Sequence, residues 1–138
     1  MTVYAFTDGA ARGNPGESGI GVIFKDEQGT TLAKVHGYIG EATNNVAEYS
    51  ALLACLKSAP KTKCSRLVVH SDSELMVRQL LGEYKVKDPN LKAMVLKIHR
   101  LLAKVPFDFE IKHVRRELNK EADQLANLGI DSRKRIRI

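Results

Sequence analysis

Val3-Tyr4-Ala5-Phe6-Thr7-Asp8-Gly9, running on as Ala10-Ala11-Arg12-Gly13-Asn14-Pro15-Gly16, is an apolar β-run that carries one carboxylate to its end and then opens into a glycine-rich loop. Asp-Gly is also a common turn signal, so Asp8 alone decides nothing. Its meaning comes from three later acids, Glu48, Asp72 and Asp123, each placed where coarse structure can bring it to the same spot.

Working outward, residues 18–25 read as a second strand, Asp26 to Gly29 as a hairpin turn, and residues 31–39 as a third strand. Short links make these three an antiparallel meander. The pattern changes at Thr43-Asn44-Asn45, good N-cap residues, and Glu48 three positions after Asn45 suggests a capping box. Val46, Tyr49, Leu52, Leu53 and Leu56 follow at helical spacing to a stop near Pro60. Arg66 to Ser71 is a short, continuously apolar strand of the kind buried in a parallel sheet. Asp72-Ser73-Glu74 opens a helix that Gly82 stops, and a further helix spans residues 90–104. Residues 107–113 alternate as a strand, and Asn119 to Leu128 form a last helix ending at Gly129. The order βββαβααβα predicts an α/β fold: a mixed five-stranded sheet, antiparallel meander plus two parallel strands, with helices on both faces.

The 138 residues fit one domain over 1–130, followed by a basic C-terminal tail over 131–138. There is no run of about 18 apolar residues and no signal-peptide pattern at the N-terminus, so no membrane contact and a cytoplasmic location are expected. Net charge is +6, but Arg133, Lys134, Arg135 and Arg137 supply four of those charges without an acid among them, which leaves +2 for residues 1–132. Three readings of the tail stand: a contact for a polyanion, which gains by counterion release, a solvated end, or packing of Ile136 and Ile138 on the body, for instance as an added edge strand. Cys55 and Cys64 are too few for a disulfide framework, and neither thiol is assigned a role.

In open α/β sheets, sites form at the carboxyl ends of parallel strands. Asp8 ends the first strand and Asp72 follows the fourth. Glu48 lies in the first turn of a sheet-packing helix, and Asp123 flanks the Ala122/Leu125/Ala126 stripe of the last one. Hard oxygen ligands suit Mg²⁺ or Mn²⁺, and such a crowd of acids repels itself unless cations neutralise it. Each acid taken singly has an ordinary alternative: a capping box, an N-cap, a surface carboxylate. All four together point to one edge of one sheet.

The strings Thr7-Asp8-Gly9…Asn14-Pro15-Gly16…Gly19…Gly21, Thr43-Asn44-Asn45-Val46-Ala47-Glu48, Ser71-Asp72-Ser73 and Asn119 to Ala126 resemble type 1 ribonuclease H, in order, over about residues 2–129. The resemblance implies that fold and endonucleolytic cleavage of the RNA strand of RNA–DNA hybrids. It gives Asp8, Glu48, Asp72 and Asp123 the metal-ligand and catalytic roles, around two ions of Mg²⁺ or Mn²⁺. Two such ions, about 4 Å apart, serve an in-line displacement at phosphorus. The expected products carry 5′-phosphate and 3′-hydroxyl ends.

Asn14, Asn45 and the Gly13–Gly16 backbone match positions that line the RNA minor groove, with Asn44 beside them. Thr43, at a helix N-terminus where free N–H groups point outward, is expected to contact a DNA phosphate. The chain resembles a short form without the family's basic protrusion: Gly82 to Pro89 leads almost directly into the next helix, and there is no Trp. Tyr84, Lys85 and Lys87 there offer either a small substitute binding surface or a solvated loop. Many relatives place a mobile histidine before the last aspartate. His113 has the spacing but continues a strand alternation, so it is expected to pack, and Arg116 is expected to be the mobile product-side cation. The expected partner is a hybrid bound by a monomer.

Overall fold

The computed structural model describes residues 1–138. In chain order the elements are β1 (Thr2–Gly13), β2 (Gly16–Lys25), β3 (Thr31–Ala42), α1 (Asn44–Ser58), β4 (Arg66–Ser71), α2 (Glu74–Leu80), α3 (Pro89–Leu102), β5 (Asp108–His113) and α4 (Lys120–Ser132). The strands form one mixed sheet in the order β3-β2-β1-β4-β5. β1, β2 and β3 pair antiparallel, while β1–β4 and β4–β5 pair parallel. This is the expected meander with two parallel strands added.

The first two strands run further than their apolar stretches suggest. β1 continues past Asp8 to Gly13, paired all the way with β2, and the glycine-rich segment is the tip of that hairpin. Asp8 nevertheless ends something: the parallel ladder with β4 stops at the Thr7–Ser71 rung, one residue before it.

The two faces of the sheet are covered differently. Val3, Ala5, Val22, Phe24, Leu67 and Val69 face α1, whose Leu52, Leu53 and Leu56 share their core cluster. Residues 49–56 of α1 are all buried because the sheet lies on one side and α3 on the other. A helix enclosed on both sides has no need of a polar stripe. On the opposite face α4 lies over β1, β2 and β3. It comes close because β2 presents glycine: a Cβ on Gly21 would lie 2.6 Å from the Ala126 nitrogen.

Gly129 was expected to end the last helix. Instead α4 passes through it to Ser132, and a Cβ there would meet the backbone of Gly37 on β3. Glycine at this position serves close approach, not termination. Beyond α4 the chain returns against β3. Tyr38 donates its N–H to the Lys134 carbonyl (2.9 Å), and the Ile136 N–H donates to the Tyr38 carbonyl (3.1 Å). Ile136 and Ile138 pack against the core, and the Arg133 and Arg135 guanidinium groups lie over the Tyr38 ring at 5.7 and 5.8 Å. Arg133 also pairs with Glu17.

Candidate active site

Where the β1–β4 ladder ends, the next residue of each strand is an acid, Asp8 and Asp72. Glu48 arrives from α1, and ligand oxygens of these three carboxylates lie within 4.8 Å of one another. Local sequence explains each placement. Gly9 donates its N–H to Glu48 Oε1 at 2.6 Å. A Cβ at position 9 would overlap the Ala47 carbonyl, so only glycine admits α1 this close. The expected capping box is not formed. Thr43 is the N-cap of α1, accepting from Val46 N at 3.2 Å, which leaves Glu48 to reach across to β1. Asp72 is likewise spared capping duty, because Ser73 accepts the Met76 N–H and caps α2.

Asp123 comes from the other face of the sheet. The Asn119 amide, buried, donates to the Thr7 carbonyl at 2.9 Å and fixes the start of α4 beside Asp8. Asp123 follows one turn later, its N–H bonded to the Asn119 carbonyl at 3.1 Å. It lines the same cleft of about 390 Å³ but stands outside the three-carboxylate cluster. Asn44, Asn45 and Arg116 complete the wall.

The cleft is electrostatically loaded. Burial first, then the charges of Glu48 and Asp72, push the Asp8 carboxyl up to about 10. Burial also raises Glu48, to about 7, against the opposing pull of the Gly9 N–H and the Arg116 charge. Arg116 is the one cation on the wall. Buried carboxylates converging without enough positive charge are what a divalent ion would relieve, and an all-oxygen donor set suits Mg²⁺ or Mn²⁺. Asp8, Glu48 and Asp72 could therefore hold such an ion.

The other expected residues are not all gathered here. Asn14 sits at the hairpin tip, its Oδ1 accepting the Asn44 N–H at 3.1 Å, which ties the tip to the start of α1. The Thr43 hydroxyl is engaged in its cap. Lys85 and Lys87 are exposed on the 81–88 connection and do not line the cleft. Tyr84, on the same connection, lies under the Arg78 guanidinium at 5.5 Å. His113 ends β5 as expected but is exposed rather than packed. Burial along that edge strand stops at Ile111, and His113 borders a separate groove with Glu74 and Arg78. Gly9, Asn119 and Ser73 carry structural duties in the site that residue type alone did not mark. Their only sequence signal was membership of the motif strings.

Residues 6–129 match the family described as reverse transcriptase-like. The chain is 39% identical to ribonuclease HI of Halobacterium salinarum over 94% of its own length and 64% of that protein. It is 39% identical to a bifunctional protein of Mycobacterium tuberculosis, of which it spans 36%. Among solved structures it is similar to LC11-RNase H1 in complex with an RNA/DNA hybrid, with 44% identity and a TM-score of 0.90 over 94% of this chain and 97% of that one.

Proposed function

The chain belongs to the type 1 ribonuclease H family, in the short form without a basic protrusion, and on that premise we propose that it is an endonuclease hydrolysing the RNA strand of RNA–DNA hybrids. The observation that carries the reading is the meeting of Asp8, Glu48 and Asp72 at the ends of two parallel strands, with Asp123 across the cleft. Two Mg²⁺ or Mn²⁺ ions bound by these four acids would supply water activation and charge neutralisation at phosphorus, leaving 5′-phosphate and 3′-hydroxyl ends.

The protein's own groups do the rest. Asp8, most enclosed of the four and nearest the strand ends, would be the carboxylate placed to serve both ions. Gly9 holds one Glu48 oxygen, so the other faces the cleft. Because Asn14 Oδ1 is taken by the Asn44 N–H, its Nδ2 is left free as a donor toward a 2′-hydroxyl or a base edge. The side-chain amides of Asn44 and Asn45, on the cleft wall, can both donate to and accept from a 2′-hydroxyl. Thr43 marks the helix N-terminus where a DNA phosphate fits, and Lys85 and Lys87 offer further charge to the backbone. Arg116 steadies the departing phosphate product. His113, outside the cleft, is the weaker candidate for that role. A monomer acting in the cytoplasm suffices for this scheme, and no helix is long and apolar enough to cross a membrane.

Cleavage of uniformly labelled hybrid, duplex RNA and duplex DNA, side by side in Mg²⁺ and in EDTA, tests the reading. Hybrid alone should be cut, and only with metal. Binding without cleavage would instead indicate a silent hybrid binder, and cleavage of duplex DNA a related DNA nuclease.

A further inference from the structure

Of the four acids, Asp123 is the most exposed, on a helix surface where a carboxylate is free to rotate. Besides Asp8, which lies within hydrogen-bonding reach of its carboxylate, one residue restrains it. The side-chain amide of Asn127, one turn along α4, donates to the Asp123 carbonyl at 3.1 Å and to its carboxylate Oδ1 at 3.5 Å. The orientation of that amide is itself fixed. Its oxygen accepts from the Arg12 guanidinium at 3.3 Å, so its nitrogen must face Asp123. Arg12 in turn is clamped by Asp131 at 2.7 Å and reaches the Asn127 carbonyl at 3.5 Å. Asp131, Arg12, Asn127 and Asp123 thus form a chain of donors and acceptors from the hairpin arm of β1 to the cleft. It parallels the restraint that Gly9 places on Glu48.

We propose that Asn127 is a positioning residue for Asp123, with its amide set by Arg12. The proposal rests on the nuclease reading for its consequence in catalysis. Neighbours that orient a metal-facing carboxylate typically matter tenfold or more, although they touch neither metal nor substrate. Without the amide, Asp123 samples rotamers that turn it from the cleft. With the Arg12 bond alone broken, the amide is free to flip and present its oxygen to the carboxylate, which repels it.

The test uses Asn127→Leu, which matches the volume and removes the donor, in the wild-type and Asp123→Ala backgrounds. Mn²⁺ affinity of the substrate-free protein is measured by calorimetry, alongside melting temperature and hybrid kinetics. In the wild-type background, Mn²⁺ affinity and kcat should each fall about tenfold, with KM changed less than about twofold. In the Asp123→Ala background, Asn127→Leu should leave Mn²⁺ affinity unchanged. Equal losses in both backgrounds, or no loss in either, overturn the proposal. Should Asn127→Leu not fold, Asn127→Ala carries the same comparison. A wild-type protein that binds Mn²⁺ but cuts no hybrid would sink the nuclease reading while leaving the affinity comparison readable.

Discussion

Glu48 and Gly9 are joined by a 2.6 Å hydrogen bond that locks α1 to β1 one residue past Asp8. The contact needs the absence of a Cβ, since one at position 9 would run into the Ala47 carbonyl. Gly9→Ala should therefore push α1 outward, cost about 3 kcal/mol of stability and lower Tm by roughly 10 °C. Hybrid cleavage should fall more than the stability loss explains, because Glu48 moves with the helix. Calorimetry and kinetics well below the melting temperature check this. An active Gly9→Ala protein with unchanged Tm would show that the backbone contact is dispensable.

The raised carboxylates make the metal-free protein sensitive to alkali. An acid whose pKa is raised on folding contributes stability that is complete below its unfolded value and is lost as pH rises through the folded one. Glu48, raised from 4.5 to about 7, and Asp8, raised from 3.8 to about 10, place that loss between about pH 4 and 10. In EDTA, Tm should drop by at least about 5 °C across this window, and millimolar Mg²⁺ or Mn²⁺ should remove most of the slope. Melting curves at three pH values, with and without metal, decide it.

Neutralising one of the crowded acids separates stability from activity. Asp8→Asn, Glu48→Gln and Asp72→Asn should each reduce cleavage about a thousandfold or more while hybrid binding survives. In EDTA at pH 8, Asp8→Asn should melt higher than wild type, since burial and the charges of Glu48, Asp72 and Asp123 make Asp8 take up a proton on folding, which an amide need not do. Paired binding and melting measurements would reveal a merely structural acid as one whose loss lowers both.

Arg116 lies on the cleft wall and His113 does not. Arg116→Ala should lower kcat about tenfold with a smaller change in KM, as for a group acting at product departure. His113→Phe should stay within about twofold of wild type. Steady-state kinetics on one hybrid suffices. If His113→Phe abolishes turnover in a folded protein, the two roles must be exchanged.

Deleting Arg133 to Ile138 removes two half-buried isoleucines and the two backbone bonds to Tyr38. Tm should fall by roughly 5–10 °C, with the salt dependence of hybrid binding unchanged. If the arginines instead touch phosphates, the slope of log affinity against log salt flattens by roughly 0.9 per lost contact. Binding isotherms at several salt concentrations separate the two.

The meander, the two parallel strands and the joint placement of Asp8, Glu48 and Asp72 were legible because apolar periodicity and strand ends are local properties. What escaped was set by neighbours distant in sequence. Glu48 looked like a capping residue because its spacing from Asn45 suits one, yet Gly9 lies 39 residues away and claims it. Gly129 looked like a helix stop because the close approach of Gly37 has no local sign. His113 continued an apolar alternation into a stretch where the edge strand has lost its cover. The tail left charge and packing both open, since its alternate isoleucines can be placed only once β3 lies beside them. Arg12 and Asn127 carried no signal, because their pairing spans 115 residues.

The unequal construction of the two sheet faces has a consequence for sequence drift. Beneath α1 the spacing depends on large side chains that can be exchanged for others of similar volume, so that layer can vary and the fold's stability with it. Beneath α4 the spacing is one backbone resting on another, with Gly21 and Gly129 leaving nothing to trim. The distance from Asp123 to the strand that carries Asp8 is therefore inherited as a fixed length. Substitutions in this chain can shift stability through one face while the carboxylate on the other keeps its place.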